Sequence, residues 1–269
     1  MRWFFSLFFL MSFSHAVSGM CSVVIDENYS FCSDLFDEAQ NESFISQKNE
    51  KILKTYGETQ SLCGVACIVN LERVLKVLKN KPQLQYENEI KRVLHLTERL
   101  RQIAKNINAG DPVIDGLTFE STATLLKQLQ KESKLYSDLK IKLKTQDEWT
   151  QTQKKKFKNL STKNFTIESG AIEASDLKES NAQVFLMALV GTNRKTKKLA
   201  DHAHQVLAVY DSNNQHVYVV DPEYPNRVSE WAIVKGSWLY PFKLKRLVGP
   251  YYDHSEKVAV YELITFITQ

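Results

Sequence analysis

The chain has 269 residues, of which 43% are hydrophobic and 25% charged, with a formal net charge of +4. That is ordinary globular composition, sufficient for one large domain or one domain with an insertion. Much of the positive excess sits in one tract, "TQKKKFKNLSTK", with no arginine stripe interleaved with aromatics, which argues against a nucleic-acid partner.

In chain order, "MRWFFSLFFLMSFSHAVSG" has one basic residue, Arg2, then an apolar run and small residues at Ser14, Ala16, Ser18 and Gly19. The run is short for a bilayer span and fits a secretory signal over residues 1–19, cleaved after Ala16 or Gly19. The expected location is therefore periplasmic or secreted. A lipoprotein alternative would use Cys21, but Met20 is bulky where a small residue is wanted. No later stretch is apolar for long enough to cross a membrane. Residues 20–50 form a polar amino-terminal arm, in which Cys21 and Cys32 are a possible disulfide pair in an oxidising compartment.

The catalytic domain is expected over 51–269. From Gly64 the residues Val65, Ile68, Val69, Leu71, Val74, Leu75 and Leu78 follow three- and four-residue steps, a helix that opens at Cys63 and ends at "NKPQ". "YENEIKRVLHLTERLRQIAKNINAG" is a second amphipathic helix, with His95 on its polar side. "DGLTFESTATLLKQLQKE" is a third, with Thr118 as N-cap and Glu120 in the first turn. Residues 133–163 are lysine-rich and weakly periodic, with a short strand at "SDLKIKLK", so a Lys-rich helical insertion is placed around 80–165. "VFLMALVG", "HQVLAVYD", "HVYVVDP" and "KVAVYELITF" are β-branched and aromatic and read as strands, the middle two joined by a turn at "DSNNQ". Helices followed by an antiparallel sheet make an α+β order. There is no internal repeat and no glycine-rich phosphate loop.

A cysteine in the first turn of a buried helix meets the positive end of the helix dipole and unpaired N–H groups, both favouring thiolate. Cys63 holds that position, whereas Cys67, one turn further in, lies among core positions. His204 opens one strand and Asp221 closes the next, so a hairpin across "DSNNQ" brings them together as base and orienter. A Cys63–Cys67 disulfide is disfavoured by the geometry of residues four apart on a helix. A zinc site built from Cys63, Cys67, His202 and His204 has suitable ligand types, but not the spacing of structural zinc cysteines.

"CGVACIVNLERVL" resembles the helix of papain-like thiol enzymes with C-G-x-A after the nucleophile, shared by bacteriocin-leader-processing peptidases and phytochelatin synthases. "DGLTFESTATLLKQL", "FLMALVGTNRKTKKLADHAHQVLAVYD" and "HVYVVDPEYP" are similar, in the same order, to segments of the phytochelatin synthases. The resemblance covers about 59–235. It implies a papain-like fold, with a helical part carrying the nucleophile packed on an antiparallel β-sheet carrying His and Asp. It also implies cleavage of glutathione or a related γ-glutamyl peptide through a cysteine thioester, with γ-glutamylcysteinyl transfer to water or a second thiol peptide.

In this scheme Cys63 is the nucleophile, His204 the base, Asp221 the orienter and Arg194 a substrate-binding cation. No resident metal or cofactor is required, although thiolate-bound metal ions would be activators in such a family. The partner is a small thiol peptide. The sequence departs from the pattern where Gly57 stands in place of an oxyanion glutamine, leaving Gln60 as the candidate donor, and where Ala203-His204-Gln205-Val206-Leu207 replaces G-H-x-S-P. A peptidase or amidase of the leader-processing type, or a non-catalytic binding module, are the alternative functions.

Overall fold

The computed structural model describes residues 44–58, 61–79, 81, 86–178, 184–191, 203–212, 214–225, 227–238, 240–252 and 254–268. Helices α1 (Glu50–Tyr56), α2 (Cys63–Leu78), α3 (Tyr86–Ile107) and α4 (Phe119–Glu132) come first. Strand β1 (Leu139–Thr145), α5 (Gln151–Leu160), β2 (Phe165–Ser169) and α6 (Ala174–Lys178) follow. The remaining strands are β3 (Val184–Gly191), β4 (His204–Asp211), β5 (His216–Val220), β6 (Val228–Lys235), β7 (Phe242–Val248) and β8 (Lys257–Thr268).

The strand order is β2-β1-β8-β3-β4-β5-β6-β7, and β7 pairs back onto β8. That last pairing, through Lys243↔Ala259, Leu244↔Val258 and Lys245↔Lys257, closes β3–β8 into a six-stranded antiparallel barrel. The expected papain-like arrangement, helices packed on an antiparallel sheet, is therefore corrected: the sheet is a closed barrel with two further strands, β1 and β2, and the helices lie to the amino-terminal side. The change comes from β6 and β7, which the sequence reading left out, and from a divided β8. Its first residues pair with β7, while Glu262–Thr268 pair with β1. A register shift between Ala188 and Leu189 of β3 leaves Tyr261 as the extra residue of β8 at this division. Such bulges bend a strand, here at the point where it leaves the barrel for the extension.

Strands β3 and β4 are buried along their whole length. One face, with Phe185, Met187, Val206 and Ala208, points into the barrel core beside Trp231, Tyr251 and Val260. The other, with Val184, Leu186, Leu207 and Val209, packs under Val65, Ile68 and Val69 of α2. This two-sided burial is why both strands are continuous apolar runs rather than alternating ones. In β1 the apolar positions alternate: Leu139, Ile141 and Leu143 are buried between half-buried lysines. Residues 80–165 thus hold a strand of the main sheet as well as helices.

Polar clamps set the orientation of α2. Arg92 of α3 makes a two-pronged contact to the buried Glu72 (3.0 and 2.7 Å), and Arg73 reaches back to Glu89 at 2.6 Å. On the other side, the buried Asn70 accepts from Ile45 N–H at 2.7 Å and donates to its carbonyl at 3.1 Å. The end of the polar arm is therefore part of the core, with Ile45 fully buried. Gln47 N–H and Ser46 Oγ–H donate to the Pro222 carbonyl (3.1 and 3.2 Å), and Gln47 Nε2 donates to Glu223 at 3.0 Å. Residues 45–47 thus tie α2 to the turn after Asp221. Among the described residues no helix is long and apolar enough to cross a membrane.

Candidate active site

Helix α2 begins at Cys63 with Leu62 as N-cap, and Leu62 provides no side-chain cap. The first intrahelical bond runs from Ala66 N–H to the Leu62 carbonyl at 3.0 Å. The N–H groups before it are left to other acceptors, and the positive end of the helix lies at the Cys63 sulfur. Cys63 is partly exposed and Cys67 fully buried; both are free thiols.

His204, the first residue of β4, presents Nε2 to Asp221 Oδ1 at 2.8 Å. The remaining ring nitrogen, Nδ1, is left for the hydrogen bond between His204 and the Cys63 sulfur. Asp221 has no exposed surface. Oδ1 also accepts from Glu223 N–H at 2.8 Å and Oδ2 from Tyr252 N–H at 3.0 Å. The Tyr252 ring lies 4.1 Å from the imidazole, centroid to centroid, tilted by 34°, and Tyr251 meets it edge-on at 5.8 Å. These two tyrosines cover the His–Asp pair from water.

The electrostatics follow from this packing. Burial opposes a charge on Cys63. The His204 hydrogen bond and charge, with the N–H groups of Gln205 and Gly64, outweigh it and hold the thiol below its ordinary range. Burial likewise opposes the imidazolium, but the bonds to Asp221 and Cys63 prevail, and His204 is pushed up to about 10. Both shifts act in favour of a thiolate–imidazolium pair. Cys67 is the opposite case: burial, with the neighbouring Cys63 and Asp221, pushes its thiol well up, and Sγ donates to the Gln205 carbonyl at 3.3 Å.

The structure thus brings together Cys63, His204 and Asp221 from two distant parts of the chain. Gln60, Arg194, His202, Cys21, Cys32 and the segment 1–19 lie outside the described residues. Gly57 ends α1 with φ +87°, its N–H donating to Leu53 O at 2.7 Å. Among the described residues no group of three or more His, Cys, Asp or Glu side chains is placed to hold a metal ion. Tyr252 and Gln205 were not identified from the sequence. Gln205 adjoins the base in sequence, which is a local signal; Tyr252 reaches the site through a turn far along the chain and carries none. Comparison with protein-family models, with characterised proteins and with solved structures finds no match to this chain.

Proposed function

We propose that the protein is a cysteine hydrolase or acyltransferase acting through a thioester on Cys63, with glutathione or a related γ-glutamyl peptide as substrate. The observation that supports it is the pairing of Cys63, at the uncapped start of α2, with an imidazole bonded at 2.8 Å to the buried Asp221. The substrate class rests on the sequence resemblance to phytochelatin synthases alone.

The Cys63 thiolate attacks the carbonyl carbon of the scissile amide. The resulting oxyanion lies at the start of α2, where N–H groups are unpaired within the helix. As the C–N bond breaks, His204 gives its proton to the leaving amine, which for glutathione is glycine. Water or a second thiol peptide then attacks the thioester carbonyl and His204 takes up its proton, so the acyl–sulfur bond breaks and the thiolate returns. Asp221 keeps the imidazole oriented and its charged form stable throughout. The expected setting is outside the cytoplasm, as the amino-terminal apolar segment suggests.

Incubation with glutathione tests the reading. A γ-glutamylcysteinyl adduct on Cys63 by mass spectrometry, with free glycine released, is the expected result, and both are lost in Cys63→Ala. Release of no glycine while Cys63 forms thioesters with other peptides would retain the chemistry and replace the substrate by that of a peptidase or amidase. No adduct with any amide, in a protein whose thiol alkylates normally, would overturn the enzyme reading.

A further inference from the structure

Beneath the start of α2, on the helix-covered side of the sheet, lies a second polar group that the triad does not use. Gln205 of β4 and Glu262 of β8 both pair with Ala188 of β3, one from each side. Their Cα atoms are therefore two strand spacings apart, about 10 Å. A Gln and a Glu side chain reaching toward each other across a methyl group span that gap, and a hydrogen bond joins Gln205 to the Glu262 carboxyl. Gln205, Glu262 and Ala188 are all buried. The other end of the amide lies against the nucleophile helix: a Cβ added to Gly64 would stand 2.1 Å from Gln205 Oε1.

The main chain of Gln205 is used at the same time. Its N–H bonds the Cys63 sulfur, and its carbonyl accepts from Cys67 at 3.3 Å. The residue after the base thus touches both cysteines, the first turn of α2 and the β8 bulge. We infer that Gln205 and Glu262 are positioning residues for Cys63: the side-chain link across Ala188 anchors the Gln205 peptide so that its N–H stays directed at the nucleophile. This rests on Cys63 being the nucleophile, but not on the identity of its substrate. Glu262 faces no cation among the described ion pairs. Asp147 lies near it from the turn after β1, and Thr145 pairs with it across β1, while the Cys63–His204 pair lies beyond Gln205. Its role is that of a hydrogen-bond acceptor rather than a counter-charge.

The test is the pH profile of Cys63 alkylation by iodoacetamide on the full chain, which needs no turnover and so is independent of the substrate proposal. Removing the anchor in Glu262→Ala is expected to lower the rate at pH 6 about tenfold, as the thiolate limb moves up by about one pH unit. Glu262→Gln, which keeps an acceptor, is expected to stay near the wild-type profile. Gln205→Met, nearly isosteric and still carrying the backbone N–H, decides the matter if Glu262→Ala fails to fold, and the same tenfold loss is expected. Folded Gln205→Met or Glu262→Ala protein with a wild-type profile and only a lower melting temperature would overturn the inference, leaving a purely structural pair. An equal loss in Glu262→Gln would overturn the acceptor role.

Discussion

Replacing Asp221 by Asn keeps the side-chain volume and removes one charge from a site with no solvent access. The carboxylate accepts at 2.8 Å from His204, at 2.8 Å from Glu223 N–H and at 3.0 Å from Tyr252 N–H. An amide has one acceptor oxygen and one donor NH2. With its oxygen toward His204 and Glu223, the NH2 meets the Tyr252 N–H. Turned over, the NH2 faces Nε2 and places the ring proton on Nδ1, the tautomer that is no base toward sulfur. Either way a buried donor loses its acceptor, at a cost of about 1–3 kcal/mol in stability.

The chemical effect is larger. Burial is the leading influence on His204 and opposes its charge, and the Asp221 bond is the first of those overcoming it. Without the carboxylate the imidazole is neutral at pH 7, and Cys63 loses the cation that keeps it below its ordinary 9.0. A thiol at that ordinary value is about 1% thiolate at pH 7, so alkylation by iodoacetamide falls about a hundredfold from a fully formed ion pair. The assay is the rate of Cys63 modification between pH 5 and 9 by mass spectrometry, alongside thermal melting. A folded Asp221→Asn protein that alkylates at the wild-type rate at pH 6–7 would refute the ion-pair argument.

Cys67→Ala removes a fully buried sulfur bonded to the Gln205 carbonyl and is expected to cost about 1 kcal/mol by denaturant melting, with Cys63 still alkylated. Loss of the reactive thiol in folded Cys67→Ala, with none in Cys63→Ala, would reverse the assignment of the two cysteines. Gly249 has φ +87°, and an added Cβ would lie 2.4 Å from the Val228 carbonyl oxygen. Gly249→Ala should destabilise by about 1–3 kcal/mol and slow alkylation by displacing the turn that carries Tyr251 and Tyr252 over His204; an unchanged melting temperature would count against that packing. Burial pushes Glu262 up from 4.5 to about 8, with Asp147 adding to the effect. Over that interval the folded state holds a proton that the unfolded state has released, so this group's stabilisation is full below about 4.5 and is lost as pH rises through about 8. Glu262→Gln should therefore gain on the wild type by a few kcal/mol between pH 5 and 8.5 in chemical denaturation; parallel pH curves for the two proteins would show that the carboxyl is not desolvated.

What was legible along the chain is what local pattern encodes. The apolar steps after Cys63 make α2, Thr118 caps α4 through a capping box with Ser121, and the apolar runs of β3 and β4 report strands covered on both faces. The turn between β4 and β5 sets a register of Asp211↔His216 to Leu207↔Val220, so the outer ends of that hairpin meet and His204 lies beside Asp221. Strands β6 and β7 are half-exposed, and "FKLKRLV" alternates with lysines, a weaker signal than a continuous run. Helix α1 is only seven residues long and mostly exposed, though Asn49 caps it.

Closure of the barrel has no local signature. It depends on β7 meeting β8 at Lys243↔Ala259 while the rest of β8 serves β1, and no short window contains that choice. The link from Gln205 to Glu262 is of the same kind, since it requires β4 and β8 to flank a small Ala188 on β3. The inequality of the two cysteines was visible in their helical spacing, because the helix dipole and apolar periodicity act within a few residues. The charge state of Cys63 belongs to the tertiary structure, because only packing brings a buried aspartate, an imidazole and the Gln205 N–H to one sulfur.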